Sequence, residues 1–272
     1  MTTPPATAPV TAPLSPPART WLDPLRDAAI FVGRSTRHSV RSVDAVITAI
    51  ALPVVILLMF VYVFGGALRP SGGYVDYVVP GIILLCAGMG ASTTAIKVNE
   101  DMTTGVIDRF RSMPIAAAAV LAGHVVASVV RNLASTVVVL GVALLVGFRP
   151  EGDPVAWLGV AGLLALYMTA VSWLAAAFGL VASDAEAAGA FAFGIMFLPY
   201  VSSAFVPTDT MPSALRGVAQ HQPVTPIIET LRGLMMGTPV GSHGAAALAW
   251  TVGGVVVGTA AAAALFSRRT AS

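Results

Sequence analysis

Long uncharged stretches of apolar residues alternate with short polar segments along this chain, and the pattern predicts membrane-spanning helices. A bilayer core about 30 Å thick requires roughly 20 apolar residues of helix at about 1.5 Å each. Inside lipid, the backbone groups of such segments must be paired within the helix itself. The predicted spans are residues 45–66, 77–96, 120–148, 155–182, 187–206 and 245–266.

Composition supports the same class of protein. Charged residues make up 10% of the chain and apolar residues 56%, whereas ordinary globular proteins carry roughly 25% charged residues. This balance excludes most soluble enzymes, nucleic-acid-binding proteins and disordered chains, and a net charge of +2 does not indicate a nucleic-acid partner. The single cysteine, Cys86, excludes an intramolecular disulfide. We therefore predict an all-α polytopic membrane protein with six spans.

The basic residues predict the orientation of these spans, because short cytoplasmic segments are enriched in lysine and arginine. With the N-terminus inside, ten basic residues fall on the cytoplasmic side: Arg19, Arg26, Arg34, Arg37, Arg41, Lys97, Arg109, Arg111, Arg268 and Arg269. Four fall outside: Arg69, Arg149, Arg216 and Arg232. Both termini are therefore predicted to be cytoplasmic.

The segment before the first span divides into two parts. Residues 1–19 are rich in proline and predict a disordered cytoplasmic tail, so the membrane domain is assigned to residues 20–272. Asp23 and Pro24 are typical of a helix start. The apolar residues that follow at helical spacing are Trp21, Leu25, Ala28 and Val32. This pattern predicts an amphipathic helix at the inner membrane surface, and a plain linker helix is the alternative.

Several kinds of chemistry are missing from the sequence. The only lysine, Lys97, lies outside any G-x-x-x-x-G-K-[ST] motif, so the sequence holds no ATP-binding loop of that kind. No G-x-S-x-G motif of a serine hydrolase is present. The histidines have no carboxylate or cysteine at metal-ligand spacing; they are His38, His124, His221 and His243. We predict neither a catalytic site nor a metal site.

Charge within the predicted spans is confined to one residue, Arg131, since all carboxylates fall in tails, loops or span ends. A proton-driven transporter usually keeps an ionisable residue at the membrane centre, so energy from another polypeptide is favoured here. Arg131 has two interpretations. It is structural, reaching the inner surface or pairing with Asp44, Asp184 or Glu186, or it contacts the substrate.

The longest cytoplasmic connection, residues 97–115, carries charges of both signs and then a short amphipathic pattern. Its apolar residues recur at helical spacing before Pro114 ends the pattern; they are Val106, Ile107, Phe110 and Met113. One interpretation has this helix resting on the membrane surface. The other has it docking into a groove on a partner protein, with Ile107 and Phe110 as anchors.

Two sequence motifs resemble one family. Residues 99–115 read Asn-Glu-Asp-Met-Thr-Thr-Gly-Val-Ile-Asp-Arg-Phe-Arg-Ser-Met-Pro-Ile, similar to a stretch of type 2 ABC exporter permeases. Residues 223–234 read Pro-Val-Thr-Pro-Ile-Ile-Glu-Thr-Leu-Arg-Gly-Leu. This second stretch resembles the family's N-P-x-T-P-x-x-x-x-x-R-G-L signature, with Gln222 where asparagine is frequent. The daunorubicin-resistance-type drug-export permeases are the most similar group.

This resemblance implies a membrane subunit that dimerises and binds two copies of a separate ATPase, which would bind the ATP and Mg²⁺. The second permease copy would be identical or related. The helix that enters the ATPase would comprise Thr104, Gly105, Ile107, Asp108, Arg109, Phe110, Arg111, Met113 and Pro114. Re-entrant outer helices within residues 207–238 would close the pathway through Pro223, Thr225, Pro226, Glu229, Arg232 and Gly233. The cargo would be a hydrophobic small molecule.

The residues alone leave these outer and apolar features open. Glu229 and Arg232 are spaced to pair on one helical face, in re-entrant helices or in an ordinary external loop. Gly254 and Gly258 permit close helix packing, within the chain or between two copies. Four aromatic residues either pack or line a substrate path: Phe191, Phe193, Phe197 and Tyr200.

Three other functions compete with export of a hydrophobic small molecule by an ABC permease. They are export of a polyprenyl-linked glycan, ion-driven transport and membrane-enzyme activity. Abundant alanine, valine and glycine with a single lysine indicate a GC-rich bacterial genome, and hence a bacterial plasma membrane.

Overall fold

The computed structural model describes residues 43–67, 73–104 and 117–271. This part of the chain forms eight α-helices and no β-strand. In chain order the helices are α1 (Val43–Leu58), α2 (Tyr74–Thr103), α3 (Ala117–Val146), α4 (Pro154–Val181), α5 (Ala185–Phe197), α6 (Ser213–His221), α7 (Val224–Met236) and α8 (His243–Ala271). A π-helical turn, Met59–Phe64, extends α1, and 3-10 helices lie at Leu198–Val201 and Thr208–Thr210.

Four of these helices are long and apolar enough to cross a membrane. They are Tyr74–Thr103, Val120–Val146, Pro154–Val181 and His243–Arg268. The shortest of them has 26 residues, which at about 1.5 Å each exceeds a hydrocarbon core of about 30 Å. Shorter apolar helices, Ile50–Phe64 and Ala185–Val201, lie where the first and fifth spans are predicted. The all-helical membrane class is therefore confirmed.

Two helices end at residues other than the ends of the predicted spans. Helix α2 continues to Thr103 instead of ending at residue 96, because Val98 and Asn99 are buried against neighbouring helices. The predicted fifth span, 187–206, instead breaks after Phe197, and its 3-10 extension, which contains Pro199, ends at Val201. Proline cannot donate the backbone hydrogen bond that would continue an α-helix, which explains this break.

Helix α2 lies at the centre of the bundle. Its consecutive residues Ile82, Ile83, Leu84 and Leu85 are each at most 1% exposed. Successive residues of a helix point about 100° apart, so burial of four in a row means that α2 is covered on all sides. Helices α1, α3, α4, α5 and α7 all pack against it.

Glycines bring the helices close enough to pack. A side chain at Gly179 of α4 would collide with the carbonyl of Ala95 in α2, so the two backbones are in contact there. Gly258 of α8 leaves a methyl group no room, since a Cβ atom would lie 2.9 Å from the Cβ of Trp173 in α4. The predicted use of Gly254 and Gly258 in packing within the chain is confirmed.

A short polar seam runs inside the bundle between α3 and α4. Ser172 donates to Ser128 at 3.0 Å, and the Asn132 amide donates to the same hydroxyl at 3.4 Å. Gly90 of α2 leaves the space that the Asn132 amide occupies. Polar side chains in a membrane protein are stabilised by such partners on facing helices.

The bundle has two ends, which we call inner and outer after the orientation predicted from the basic residues. The outer end holds the start of α2 and the short helices α6 and α7. The inner end holds Thr103 of α2, the start of α3 and the last turns of α8. There Phe266 packs with Val98, Leu121 and Leu180 in a small apolar cluster.

Candidate functional site

The outer site is built on α7, which contains most of the second motif. Pro223 precedes the helix and Pro226 lies in its first turn, where backbone N–H groups have no partner within the helix. Thr225 donates its hydroxyl to the carbonyl of Ala219, which fixes the turn between α6 and α7. Gln222 donates to the carbonyls of Leu198, at 3.2 Å, and Val201, at 2.6 Å. The amide at this motif position therefore holds α7 against the end of α5.

Gly233 of the same motif allows α7 to end in a tight fold. The chain turns back at Gly237, whose positive φ of 66° favours glycine. Thr238 then donates its backbone N–H to the carbonyl of Gly233 at 2.9 Å. A Cβ atom at Gly233 would lie 3.0 Å from Val240 and 3.1 Å from the Thr238 oxygen. A larger residue at position 233 would therefore collide with Thr238 and Val240, where the chain turns back.

Arg232 is the centre of the outer site, because it contacts three separate segments. Its Nη1 forms the predicted ion pair with Glu229 at 2.6 Å, and the Arg232 side chain is only 13% exposed. Its Nη2 donates to the carbonyl of Ser203 at 2.8 Å. Its Nε and Nη2 donate to the carbonyl of Tyr77 at 3.2 and 3.1 Å, and the guanidinium lies 3.8 Å from the Tyr77 ring centre. One side chain thus joins α7 to α2 and to the turn that follows α5.

Further backbone contacts secure the end of α7. Glu151 and Gly152, in the loop between α3 and α4, both donate backbone N–H groups to the carbonyl of Met235, at 3.0 and 2.9 Å. The same loop is tied to α2, since the Arg149 backbone N–H donates to the Asp76 carboxylate at 3.0 Å. The outer ends of α2, α3, α4 and α7 are therefore linked.

Sequence reasoning missed the partners of Arg232. Tyr77 and Ser203 lie 155 and 29 residues away from it along the chain. Both contribute backbone carbonyls, which every residue has, so no residue type at these positions signals the contact. Only the spacing of Glu229 and Arg232 was visible in the sequence.

At the inner site, the structure describes only the first residue of the predicted ATPase-contact helix. Thr104 ends α2, donating its backbone N–H to the Glu100 carbonyl at 2.9 Å and its hydroxyl to the same oxygen at 2.7 Å. The other predicted contact residues lie outside the described residues: Gly105, Ile107, Asp108, Arg109, Phe110, Arg111, Met113 and Pro114.

Two residues of the first motif tie the inner end of α2 to its neighbours. The buried amide of Asn99 donates to the carbonyls of Ala182, at 2.8 Å, and Gly179, at 3.2 Å. These carbonyls lie at the end of α4, where a helix has no backbone partners of its own. The Asp101 carboxylate lies 2.7 Å from Nε2 of His124 in α3. In the sequence, no carboxylate or cysteine lies at metal-ligand spacing from His124. The fold brings the Asp101 carboxylate next to this histidine.

Arg131 is half-buried on α3 at the inner half of the bundle. It lies close enough to Lys97 of α2 for the two positive charges to repel. Among the described residues, neither Asp184 nor Glu186 forms an ion pair with it. The Asp184 carboxylate instead accepts from the Ala187 backbone N–H at 2.7 Å and from Ser183 at 3.0 Å. These hydrogen bonds lower the pKa of Asp184.

An aromatic row crosses the outer half of the bundle. The Phe60 and Phe205 rings stack with centres 4.2 Å apart, and Tyr200 stacks on Phe205 at 5.1 Å. Phe197 follows at 5.9 Å from Tyr200 and is 57% exposed. Two of the predicted aromatic residues therefore pack against each other while part of each ring remains exposed.

Comparisons with known proteins agree with both motifs. The family model for the ABC-2 type transporter matches residues 28–236. The chain is 32% identical, over 98% of its length and 95% of the relative, to the daunorubicin resistance ABC transporter permease protein DrrB1 of Streptomyces coeruleorubidus. It is 30% identical, over 80% of its length and 79% of the relative, to the probable doxorubicin resistance ABC transporter permease protein DrrC of Mycobacterium tuberculosis.

The family match covers α1 to α7 together with both motifs, from residue 28 to the last residue of α7. The resemblance drawn from residues 99–115 and 223–234 is therefore confirmed, and the chain belongs to the ABC-2 type transporter family of membrane permeases.

Proposed function

We propose that this chain is the membrane-spanning subunit of an ATP-driven exporter that moves a hydrophobic small molecule out of a bacterial cell. The family match over residues 28–236 is the observation that carries this proposal. The sequence holds no phosphate-binding loop of the G-x-x-x-x-G-K-[ST] kind, so ATP and Mg²⁺ would be bound by a partner ATPase. Two copies of that ATPase would act on a pair of permease subunits.

The contact with the ATPase is assigned to residues 104–114, between α2 and α3. This segment combines apolar residues such as Ile107 and Phe110 with charged ones such as Asp108, Arg109 and Arg111. Apolar anchors within a polar rim are typical of a helix that docks into a groove. Closure of the two ATPases on ATP would move this helix, and α2 and α3 would carry that motion into the membrane.

Closure of the outer side is assigned to α6 and α7. The contacts of Arg232 with Tyr77, Ser203 and Glu229 support this role, since they hold α7 across the outer end of α2. In the proposed orientation these helices dip into the outer leaflet. The proposal has six spans and cytoplasmic termini. Helices α1 and α5 are its first and fifth spans.

The cargo is proposed to be apolar. The names of the relatives refer to daunorubicin and doxorubicin resistance. Ion-driven transport is disfavoured, because the described carboxylates lie near the ends of the long helices, as Asp76 and Asp101 do, in loops, or on the short outer helix α7, as Glu229 does. Coupling to an ion gradient usually requires an ionisable group near the membrane centre.

The test is reconstitution with candidate ATP-binding subunits. The chain is co-expressed with each candidate, isolated by an affinity tag and placed in inside-out vesicles, and uptake of doxorubicin and daunorubicin is measured with and without ATP. We expect a stable complex, ATP-dependent uptake, and loss of uptake in Phe110→Ala. Uptake driven by an imposed proton gradient without ATP would reject the proposal. Preference for a polyprenyl-linked glycan would correct its substrate class.

The orientation has a separate test. A cysteine at Ser71 is expected to react with a membrane-impermeant reagent from outside the cell, and one at the exposed Thr103 only after the cytoplasmic side is opened. Cys86 is buried, so the native chain provides the matched background. The reverse labelling pattern would invert the proposed topology.

A further inference from the structure

We propose that Asp101 and His124 form a positioning pair that sets the direction in which α2 and α3 leave the membrane towards the ATPase. This inference rests on the proposed function, because it concerns how motion of residues 104–114 reaches the spans. Neither residue belongs to the predicted docking surface. Each lies on one of the two helices that the docking segment connects.

The covalent geometry makes these two helices the route of transmission. Helix α2 ends at Thr103 and α3 begins at Ala117, so the chain connects the docking segment to the bundle through the inner ends of these two helices. Asp101 precedes the end of α2 by two residues, and His124 lies seven residues into α3. Since helices rise about 1.5 Å per residue, both side chains lie within about 11 Å of the connection.

The contact itself is close and partly shielded from solvent. Asp101 Oδ2 lies 2.7 Å from His124 Nε2, with the side chains 32% and 17% exposed. An ionised carboxylate only accepts hydrogen bonds, so Nε2 carries the proton and donates. A charged acceptor in a half-buried setting gives a stronger and more directional link than an exposed pair.

A second contact holds the inner end of α2 from nearly the opposite side. Asn99 bonds to the end of α4 through the Gly179 and Ala182 carbonyls. Two residues apart on a helix means about 200° around its axis. The inner end of α2 is therefore held by α4 on one side and by α3 on the other. Asn99 is buried and bonds to α4, whereas Asp101 and His124 form the hydrogen bond that joins the inner ends of α2 and α3.

The pair is expected to transmit motion between the ATPase and the spans, which is a different role from holding the helices together. If the pair keeps the inner ends of α2 and α3 at a fixed angle to each other, a movement of the docking helix turns α2 and α3 together as a rigid body. Without the pair, the inner ends of α2 and α3 can bend separately, and part of the movement of the docking helix does not reach the spans. ATP hydrolysis would then continue while less cargo moves per ATP.

The experiment measures doxorubicin uptake and ATP turnover in the same vesicles, using the full complex with its ATP-binding subunit. In His124→Phe and Asp101→Ala, we expect ATP turnover to persist and uptake per ATP to fall about fivefold or more, the scale of a typical coupling between sites. The exchange of the two residues, Asp101→His with His124→Asp, is expected to restore most of the lost ratio. Glu100→Gln is the matched control, since it removes an exposed carboxylate one residue away and should keep the wild-type ratio.

Two results would overturn the inference, and a third would count against the proposed function. An unchanged uptake per ATP in both single variants would show that the pair does not position the inner ends of α2 and α3. Loss of ATPase binding in the single and exchange variants alike would assign the residues to assembly instead. A wild-type complex without ATP-dependent uptake would count against the proposed function itself, whereas wild-type uptake with unaffected variants rejects the positioning pair alone.

Discussion

The outer and inner ends of the bundle are held by different kinds of contact. At the outer end, Arg232 joins α7 to Tyr77 and Ser203, and the Met235 carbonyl accepts two backbone N–H groups from the loop after α3. At the inner end, the described hydrogen bonds between helices come from single side chains, Asn99 to α4 and Asp101 with His124, beside the apolar cluster around Phe266. The outer end is therefore one linked cap, whereas the inner ends of α2, α3 and α4 are joined by fewer hydrogen bonds.

This difference matters for a transporter that must open and close. A cap linked through buried hydrogen bonds moves as a unit, since breaking one contact leaves other polar groups unpaired. An inner end that is held by fewer hydrogen bonds and by apolar packing can transmit a force and still change its direction. The four substitutions that follow, ordered by expected effect, are designed to break or sharpen this comparison.

Replacing Arg232 by alanine should have the largest effect. It leaves the Glu229 carboxylate and two carbonyls without their donor in a poorly exposed site. We expect the free energy of unfolding to fall by about 3 kcal/mol, measured by equilibrium denaturation in mixed micelles. Arg216→Ala, at an exposed arginine of the same end, is the control and should cost less. Equal losses for the two variants would mean that the outer cap does not depend on Arg232.

Gly179→Ala tests the inner end through backbone contact. The added methyl group would collide with the Ala95 carbonyl and disturb the acceptor that Asn99 uses. Overpacking of this kind costs about 1–3 kcal/mol, and the same denaturation measurement detects it. Gly162→Ala on the same helix meets no atom within 4 Å and is the matched control. If both alanines are tolerated equally, α2 and α4 are not in close contact at this end.

Asn99→Ala removes the two hydrogen bonds that hold the end of α4. The lost contacts and the unpaired carbonyls should lower the free energy of unfolding by about 1–2 kcal/mol. In vesicles, uptake per ATP should change less than in His124→Phe, because Asn99 does not link the inner ends of α2 and α3. A larger loss of coupling in Asn99→Ala would move the positioning role from Asp101 and His124 to the α2–α4 contact.

Substitutions at Tyr77 should have the smallest effect. They separate the contribution of the Tyr77 ring to the Arg232 site from that of the Tyr77 carbonyl. Tyr77→Leu keeps the backbone carbonyl that accepts from Arg232 but removes the ring beneath the guanidinium. We expect a loss of about 0.5–1 kcal/mol. Tyr77→Phe retains the ring face and should remain close to the wild type. A loss in Tyr77→Leu as large as in Arg232→Ala would mean that the ring, and not the carbonyl, holds α7.

Some features of both ends could be predicted from residue spacing. The pairing of Glu229 with Arg232 follows from their separation by three on one helix, and it forms. The close approach at Gly254 and Gly258 follows from their G-x-x-x-G spacing, although the sequence left the partner open, and the fold places Ala170 and Trp173 against them. Helix α2 extends seven residues beyond the predicted span, because the buried residues Val98 and Asn99 continue the helix into the predicted cytoplasmic connection.

Sequence alone determined the membrane class and the family, because these depend on local hydrophobicity and on contiguous motifs. Only the tertiary structure decided which residues meet. The partners of Arg232 are backbone carbonyls far away in the chain, and the partner of His124 lies 23 residues before it on another helix. Local spacing carries no information on such contacts. They arise when packing around α2 brings helix ends together and unpaired polar groups find each other there.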